Sequence, residues 1–350
     1  MLRTFHAIGQ GAFYVEKFEN GFTMVYDCGG QNKKFIEEKI KETFEPKEQI
    51  DLLFISHFHN EHINGLEFLL DYCEIKKVVV PLLHDNMKIQ CIIENFKGRH
   101  ESKFLSTLID NPKEILKNQE VVFVEHFDIN LSANMNQHIA SLKIESNYIN
   151  EWIYIPYNFY NDTLAKDLEN KLKSQSIDIK NIVDELKINK QKILNIYKGI
   201  VGSESFNANS LIIFSGLEKD LKLQNITFIN NHIVTSNKVA CLYLGDAEIL
   251  EDNNMKKLKH YFMNYWDALS VVQIPHHGSY KNYHSDLAWK DSISIISTGF
   301  RYSHPSSKVI ESIKKQQSNC AIVSYDKHTQ VQQYINLEYI VEEQYPEYLV

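Results

Sequence analysis

The feature that most constrains the fold is the stretch ISHFHNEHINGLE, residues 55–67, which holds three histidines and two glutamates. It follows DLLFIS (51–56), a short and nearly all-apolar run that is typical of a strand buried on both faces of a sheet. It runs into INGLEFLLDY (63–72), whose apolar residues recur at helical spacing and predict a helix packed on that sheet. A strand, a histidine-rich loop and a helix in this order predict a layered α/β fold.

The loop itself has the spacing H-x-H-x-E-H, formed by His57, His59, Glu61 and His62. Side chains two positions apart in an extended segment share a face, so His57 and His59 can point to one place. Glu61 and His62 fall at the turn into the helix and can reach a second place nearby. Imidazole and carboxylate groups are ligands for Zn²⁺, Mn²⁺ or Fe, so the loop predicts a site for one or two divalent metal ions.

Two later stretches place further metal-binding side chains at the ends of predicted strands. LYLGDAE puts Asp246 just after a strand, where a carboxylate can bridge two metal ions. IPHHGS puts His276 and His277 after another strand. Ligand sites in α/β sheets gather where strands run into loops, so we expect the three loops to meet at one site.

Composition and net charge limit which classes of protein this chain can belong to. The chain has 350 residues, of which 43% are hydrophobic and 23% charged, as in globular proteins with a sizeable core. Its net charge of −8 means that a polyanionic substrate needs a local positive patch or a metal ion to receive it. Its five cysteines are odd in number and contain no C-x-x-C pair, which argues against a disulfide framework and a thiolate zinc site.

The cysteines, the first residues and the apolar runs indicate the cellular compartment. The first residues, MLRTFHAIGQGAFYV, lack the basic-then-apolar pattern of a signal peptide. The longest apolar runs are far too short to span a bilayer. We therefore expect a cytoplasmic protein with no membrane contact.

One segment departs from the strand–helix alternation. Residues 161–200 are rich in lysine, asparagine and aspartate, and Leu164, Leu168 and Leu172 fall at helical spacing. We predict a helical insertion within a single domain that spans residues 1–350. The lysines alternate with acidic residues, so its exposed face fits a solvated helix face or a protein-docking surface better than a nucleic-acid groove. Further strands are predicted at 209–216, 226–236, 239–246 and 293–299, and the stretch 269–279 is predicted to be a strand followed by a loop.

Together these stretches resemble the metallo-β-lactamase fold superfamily. In detail they are similar to the branch that includes the soluble hydrolase domain of the DNA-uptake protein ComEC. The resemblance is carried, in order, by GQGAFYV, VYDCGG, ISHFHNEHINGLEFLL, NANSLIIF, LYLGDAE, IPHHGS and STGFRYSHPSSKVIESI, which cover roughly residues 1–85 and 200–325. It implies an αββα sandwich with a metal pair at one edge of the two sheets.

The resemblance also implies which residues hold the metal ions. His57 and His59 would bind the first ion. Glu61 and His62 would bind the second, and Asp246 would lie between the two ions.

Three more residues receive roles from the resemblance. Either His276 or His277 would complete the second site, and His276 is slightly favoured. Asp27, in VYDCGG, would support the site by contacting its ligands rather than the metal.

The chain departs from the superfamily pattern at two places. Glu61 stands where the superfamily usually has aspartate, and its extra methylene lets it either bind the metal with a shifted backbone or orient a water molecule. The superfamily has a histidine before a mid-chain strand where this chain reads NANS, with Asn207 and Asn209. An amide is a poorer zinc ligand than imidazole, although the ComEC-like branch also tends to lack that histidine.

The leading hypothesis is metal-dependent hydrolysis of a phosphodiester, in nucleic acid or in a nucleotide, by a metal-activated water that Glu61 orients. His304, or whichever of His276 and His277 is not a ligand, is predicted to protonate the leaving oxygen. The residues predicted to contact the substrate are Asn207, Asn209, Ser279, Arg301 and Tyr302.

Two other classes of function fit the same residues. One is a hydrolase of a small substrate, such as a phosphocholine-type ester or a lactam. The other is a non-catalytic subunit of a multiprotein system such as phage defence, in which metal stabilises the fold and the insertion binds a partner. His84, which follows a predicted strand, is a candidate substitute ligand.

Overall fold

The computed structural model describes residues 1–97, 102–127, 144–145, 152–159, 163–201, 209–218, 225–229, 232–299 and 303–336. The strands within these residues are β1 (Leu2–Phe5), β2 (Gly11–Lys17), β3 (Thr23–Gly30), β4 (Gln49–Phe54), β5 (Glu74–Pro81), β6 (Glu120–Val124), β7 (Ile144–Glu145), β8 (Trp152–Phe159), β9 (Ser210–Leu217), β10 (Asn225–Ile229), β11 (His232–Ser236), β12 (Ala240–Tyr243), β13 (Leu269–Gln273), β14 (Ile293–Ser297), β15 (Asn319–Val323) and β16 (Val331–Ile335).

The helices of the described residues alternate with these strands. They are α1 (Lys33–Thr43), α2 (Asn60–Ile63), α3 (Leu66–Tyr72), α4 (Asp85–Phe96), α5 (Lys103–Asp110), α6 (Pro112–Ile115), α7 (Thr163–Ser174), α8 (Ile182–Val201), α9 (Asp252–Tyr261) and α10 (Ser307–Lys315). No helix in the described part of the chain has the length and the apolar character needed to cross a membrane.

The strands form two mixed sheets. In the described residues the first sheet has the order β11-β10-β16-β1-β2-β3-β4-β5-β6, and the second has the order β15-β14-β13-β12-β9-β8-β7. Strands β3 to β6 run parallel in the first sheet, and β12 to β15 run parallel in the second. Parallel neighbours end at one edge of their sheet, so the loops that follow β4, β12 and β13 lie at such edges.

Three apolar layers hold the sheets and helices together. The layer between the sheets is rich in aromatic side chains, including Phe5, Tyr26, Phe54, Tyr154 and Tyr243. A second layer packs α1, α3, α4 and α5 on the outer face of the first sheet. A third packs α9 and α10 on the outer face of the second sheet. The predicted αββα sandwich of the metallo-β-lactamase type is therefore confirmed.

The segment predicted as a helical insertion forms α7 and α8, which lie between β8 and β9 in the chain. Its apolar side chains are buried in the same layer as α1, α3 and α4, and both helices contact α4. These buried side chains include Leu168, Leu172, Leu186, Ile193 and Tyr197. The insertion therefore contributes to the core of the first half, while a partner at its exposed face stays a prediction.

The helix predicted over residues 63–72 is divided into α2 and α3. The Asn64 side chain bonds to both backbone groups of Gly30, and the Gly65 amide donates to the Cys28 carbonyl at 2.9 Å. Strand β3 thus accepts from the Gly65 amide, a donor that a continuous helix would use internally. The stretch predicted as strand at 226–236 likewise forms two strands, β10 and β11, that pair as a hairpin.

One ion pair is fully buried between the two sheets. Arg3 Nε lies 2.7 Å from Glu16 Oε1, and both side chains are 0% exposed. The hydroxyls of Tyr154 and Tyr243 each donate to Glu16 at 2.8 Å, and Ser215 Oγ donates to the same carboxylate. The pair is therefore completely hydrogen-bonded, which is the condition under which a buried charge is tolerated.

Replacing Arg3 by methionine leaves the Glu16 carboxylate buried without its counter-charge. We expect Arg3→Met to lower the free energy of unfolding by about 3–5 kcal/mol in urea denaturation. The matched control is Lys33→Met, which removes one partner of the exposed pair Lys33–Glu67 and should cost at most about 1 kcal/mol. Equal losses in the two variants would show that the buried network does not stabilise the contact between the sheets.

Candidate metal centre

The histidine loop leaves β4 at Phe54 and enters α2 at Asn60, with His59 at the position just before the helix. Its backbone brings the three rings together: the centroid of His57 lies 4.7 Å from that of His59 and 4.2 Å from that of His62. The ring of His277, from the loop after β13, lies 5.5 Å from that of His62. Histidines from both sheets therefore meet at one edge, as the sequence predicts.

Gly29 in β3 lets this loop approach the first sheet. A Cβ atom at this position would lie 2.4 Å from the carbonyl carbon of His62 and 2.5 Å from the amide nitrogen of Ile63. No side chain fits at such distances, so a glycine is needed for α2 to lie directly on β3. The contact places α2 beside Asp27, two residues earlier in the same strand.

Asp27 fixes the histidine loop through its buried carboxylate. Oδ1 accepts the Ser56 amide at 2.7 Å, and Oδ2 accepts the Ser56 hydroxyl at 2.6 Å. The same Oδ2 lies 2.7 Å from His62 Nδ1. The Asp27 backbone has a φ of 57°, a left-handed conformation that is uncommon outside glycine and that often marks functional sites.

These contacts decide which ring nitrogens face the site. His62 donates from Nδ1 to the Asp27 carboxylate, and His277 donates from Nδ1 to the Ser297 carbonyl at 2.9 Å. His57 Nδ1 lies 2.8 Å from Ser56 Oγ, whose own proton goes to Asp27, so this Nδ1 also carries hydrogen. In the neutral form of each ring, Nε2 carries the lone pair. Burial lowers the pKa of His62, but Asp246 and Asp27 outweigh it and raise that pKa well above its usual value, so a metal ion would displace a proton from this ring.

A turn after β12 positions Asp246. The side chain of Gln273 accepts the amides of Leu244 and Gly245, each at 2.7 Å, and the Asp246 amide donates to Ser210 Oγ at 2.9 Å. Gly245 has a φ of 53°, which suits a residue without Cβ. The turn is thus fixed from both β13 and β9, and the Asp246 side chain is buried.

The two carboxylate oxygens of Asp246 face different histidines. Oδ1 lies 3.2 Å from His62 Nε2 and 3.9 Å from His277 Nε2. Oδ2 lies 3.5 Å from His57 Nε2 and 3.8 Å from His276 Nε2. A single carboxylate is therefore shared between two sets of ring nitrogens.

Three groups of side chains bring their ligand atoms within 4.8 Å of one another. They are Asp27, His57 and His62; His57, His59 and Asp246; and His62, Asp246 and His277. Within the described residues, the buried Nε2 atoms of His57, His62 and His277 have no hydrogen-bond partner. Since buried polar atoms are almost always satisfied, and since imidazole and carboxylate are the donors that divalent transition metals prefer, these residues fit a metal ion.

The electrostatics of the cluster also suit a cation. Burial and the neighbouring His62 lower the pKa of His57 to about 4, and burial lowers that of His277 to about 4. Burial raises the pKa of Asp246, but the surrounding histidines outweigh it and hold that pKa well below its usual range. At neutral pH the rings of His57 and His277 are therefore neutral and face an ionised carboxylate.

His59 is oriented by a different partner. Its Nε2 lies 2.7 Å from Oε2 of Glu94, a residue of α4. Burial lowers the pKa of His59, but Glu94 outweighs it and raises that pKa overall. With Nε2 engaged by Glu94, Nδ1 is the nitrogen that remains for the group formed with His57 and Asp246.

The neighbours His276 and His277 occupy a loop with an unusual backbone. Their φ angles are 48° and 55°, and Gly278 follows with 80°. This run of left-handed residues turns the two rings apart: His277 joins the group with His62, while His276 holds Asn282 Oδ1 with its Nδ1 at 2.8 Å. The structure groups His277 with His62 and Asp246, and the ligand role favoured for His276 from the sequence stays a prediction.

Glu61 lies in α2 and belongs to none of the three groups found among the described residues. Burial raises the pKa of its carboxyl, but the nearby rings of His59 and His62 outweigh this and lower it. The Glu61 carboxylate therefore lies close enough to these rings for electrostatic interaction. Its predicted ligation of a metal ion stays a prediction.

The structure describes four of the remaining predicted residues, which are His304, Ser279, Asn209 and His84. His304 lies beside His276, with their ring centroids 5.4 Å apart. Ser279 is buried in the loop after His277, and the Asn209 amide lies 3.5 Å from Met87 Sδ. His84 stands just before α4 and is in none of the three groups. Asn207, Arg301 and Tyr302 lie outside the described residues.

One part of the chain, which includes the histidine loop, matches a family model. Residues 9–90 match the family model of the metallo-beta-lactamase superfamily. The match spans Asp27 and the histidine loop, and the superfamily implies a metal-dependent hydrolase. No curated protein matches the chain. The resemblance to the superfamily is therefore confirmed over these residues, while the ComEC-like branch stays a prediction.

Several supporting residues escape the sequence analysis. Ser56, Glu94 and Ser210 each contact a candidate ligand, and Gln273 accepts from the amides of the two residues before Asp246. Ser56 directly follows the strand and precedes His57, which is a usable signal. Glu94 sits in an ordinary amphipathic helix, and nothing in its local sequence distinguishes it from a solvent-facing glutamate.

Replacing Asp27 by asparagine tests how the loop is held. Asparagine tolerates the left-handed backbone, so the change removes mainly the charge that accepts from Ser56 and His62. We expect Asp27→Asn to lower the free energy of unfolding of the metal-free protein by about 1–3 kcal/mol in urea denaturation. Asp71→Asn, at an exposed position on α3, should change it by less than about 0.5 kcal/mol. Indistinguishable stabilities would mean that Asp27 does not anchor the loop.

Proposed function

We propose that this protein hydrolyses phosphodiester bonds with one or two divalent metal ions held around Asp246. One ion would be held by His57, His59 and the Asp246 carboxylate. The other would be held by His62, His277 and the same carboxylate. The observation that carries the proposal is the convergence of three buried ring nitrogens, which have no hydrogen-bond partner among the described residues, on one ionised carboxylate.

The proposal takes zinc as the first candidate metal, with manganese or iron as alternatives. Zinc favours a mixture of imidazole and carboxylate ligands, and the described cysteines belong to none of the groups. When bound, a divalent cation acts as a Lewis acid that polarises the scissile bond and brings the pKa of water near neutrality.

The chain's own residues would orient and protect this chemistry. Asp27 holds the His62 ring, and the Ser297 carbonyl holds the His277 ring, so neither needs to reorganise on binding. His277 donates from Nδ1 to Ser297, and its Nε2 faces Asp246. We therefore propose it as a metal ligand rather than as the proton donor suggested by the sequence. Glu61, beside the cluster on α2, is proposed to orient the attacking water.

His304 is proposed to move the proton. Its Nδ1 is buried and has no hydrogen-bond partner among the described residues. Burial, together with His276, lowers its pKa to about 4, so the ring is neutral at pH 7 and has one unprotonated nitrogen. It would take the proton from the attacking water and return it to the leaving oxygen.

The phosphodiester substrate rests on the resemblance to the ComEC-like branch and on general chemistry. Two cations close together offset the charge that develops on a phosphate, which suits this class better than a neutral ester. The net charge of −8 makes the metal centre, rather than a basic surface, the part that would receive a phosphate.

Metal content is the first expectation to check. Protein purified without chelator should hold about one to two equivalents of divalent metal by elemental analysis, as expected for a site of this donor set. His62→Ala removes a nitrogen that faces Asp246 and should lower the metal content. The matched control is His232→Ala at an exposed position on β11, which should leave it unchanged. A wild-type protein with less than about one equivalent would overturn the metal centre.

Substrate class is tested with bis-p-nitrophenyl phosphate, single- and double-stranded DNA, and RNA, each with Mn²⁺ or Zn²⁺. We expect the wild type to hydrolyse the phosphodiesters. His59→Ala should lower the hydrolysis rate by more than about 100-fold, the upper end of the effect of removing a residue that only supports a metal ligand. Activity that persists in His59→Ala would contradict the assigned site. Cleavage of the small diester without any polymer would support a small-substrate hydrolase, and bound metal without hydrolysis would support a non-catalytic subunit.

A further inference from the structure

A hydrogen-bonded chain connects His59 to the helical insertion. His59 Nε2 donates to Glu94 Oε2 at 2.7 Å, and the Tyr197 hydroxyl donates to Glu94 Oε1. The side chain of Glu94 is 12% exposed and that of His59 is 18% exposed. Glu94 belongs to α4 and Tyr197 to α8, so the chain crosses from the histidine loop through one helix to the next.

His59 depends on this contact more than the other histidines of the loop depend on theirs. Asp27 orients His62 directly, and it orients His57 through Ser56. His59 has no contact with Asp27 among the hydrogen bonds of the described residues, and it is the most exposed of the three rings. Glu94 is therefore the group that fixes which nitrogen of His59 faces Asp246.

Tyr197 in turn fixes Glu94. Its ring is buried between α4 and α8, and the ammonium group of Lys97 lies 3.9 Å from the ring centroid. A carboxylate that accepts hydrogen bonds on both oxygens has its rotamer and its plane defined. Without the hydroxyl, one oxygen of Glu94 would lose its partner and the side chain could turn away from His59.

We propose that Glu94 and Tyr197 are positioning residues that hold the His59 ring with Nδ1 toward Asp246, so that the helical insertion is a working part of the metal centre. This inference rests on the proposed metal centre but not on the phosphodiester substrate. It gives the insertion a role beyond packing: a movement of α8 removes the donor from Glu94 and weakens metal binding at His57, His59 and Asp246.

The test compares three variants with the wild type. Tyr197→Phe removes only the hydroxyl, Glu94→Gln removes the charge, and the third variant combines them. The matched control is Tyr283→Phe, which removes a half-buried hydroxyl that lies 3.3 Å from Ser312 Oγ in the other half of the fold. For each protein we would measure Zn²⁺ affinity by competition with a chromogenic chelator, the visible spectrum of the Co²⁺-loaded protein, and the melting temperature of the metal-free protein.

We expect Glu94→Gln to weaken Zn²⁺ binding by about 10–100-fold, as is usual when the carboxylate behind a ligating histidine is lost. Tyr197→Phe should weaken it by about 2–10-fold, the effect of one hydrogen bond, and should shift the Co²⁺ spectrum. The double variant should bind no more weakly than Glu94→Gln alone, because Tyr197 acts through Glu94. Tyr283→Phe should match the wild type in affinity and spectrum.

The alternatives are distinguishable. Wild-type affinity and spectrum in Tyr197→Phe would overturn the inference and leave the metal centre standing. A lower melting temperature with unchanged affinity would show that Tyr197 only stabilises the packing of α8, which also overturns it. A wild-type protein that binds neither Zn²⁺ nor Co²⁺ would overturn the metal centre and the inference together.

Discussion

The carboxylate of Asp27 is the interaction on which the candidate site depends. It ties the end of β3 to the histidine loop through the amide and hydroxyl of Ser56 and through the ring of His62. By accepting from Ser56 it also determines the tautomer of His57, since the serine oxygen can then accept from that ring. One buried acid therefore orients two of the proposed ligands. Its left-handed backbone is a local strain of the kind that often marks functional sites, and Gly29 lets α2 lie directly on β3.

Asp246 and His277, which come from the second sheet, lie opposite the histidine loop of the first sheet. Asp246 comes from a turn held by Gln273 and Ser210, and His277 comes from a loop of left-handed residues after β13. The two oxygens of Asp246 divide the surrounding rings into two sets. The two halves of the site thus meet at one carboxylate.

The elements of the fold that could be predicted are those with a strong local pattern. The apolar run before His57 predicts β4, and the spacing of the loop, with Asp246 and the two later histidines at strand ends, predicts which side chains meet. The division of the helix after the loop could not be predicted, because it depends on the Gly65 amide donating to the Cys28 carbonyl of strand β3. The contact between Glu94 and His59 could not be predicted either, since 35 positions separate them and only the packing of α4 joins them.

Anomalous X-ray diffraction from crystals grown with Zn²⁺ tests the central claim most directly, because it locates the metal without assuming an activity. The account predicts a peak beside Asp246, about 2.0–2.1 Å from the Nε2 atom of His57 or His62, or two peaks that share the Asp246 carboxylate. A well-ordered crystal whose zinc peaks all lie away from Asp246 and these histidines would contradict it.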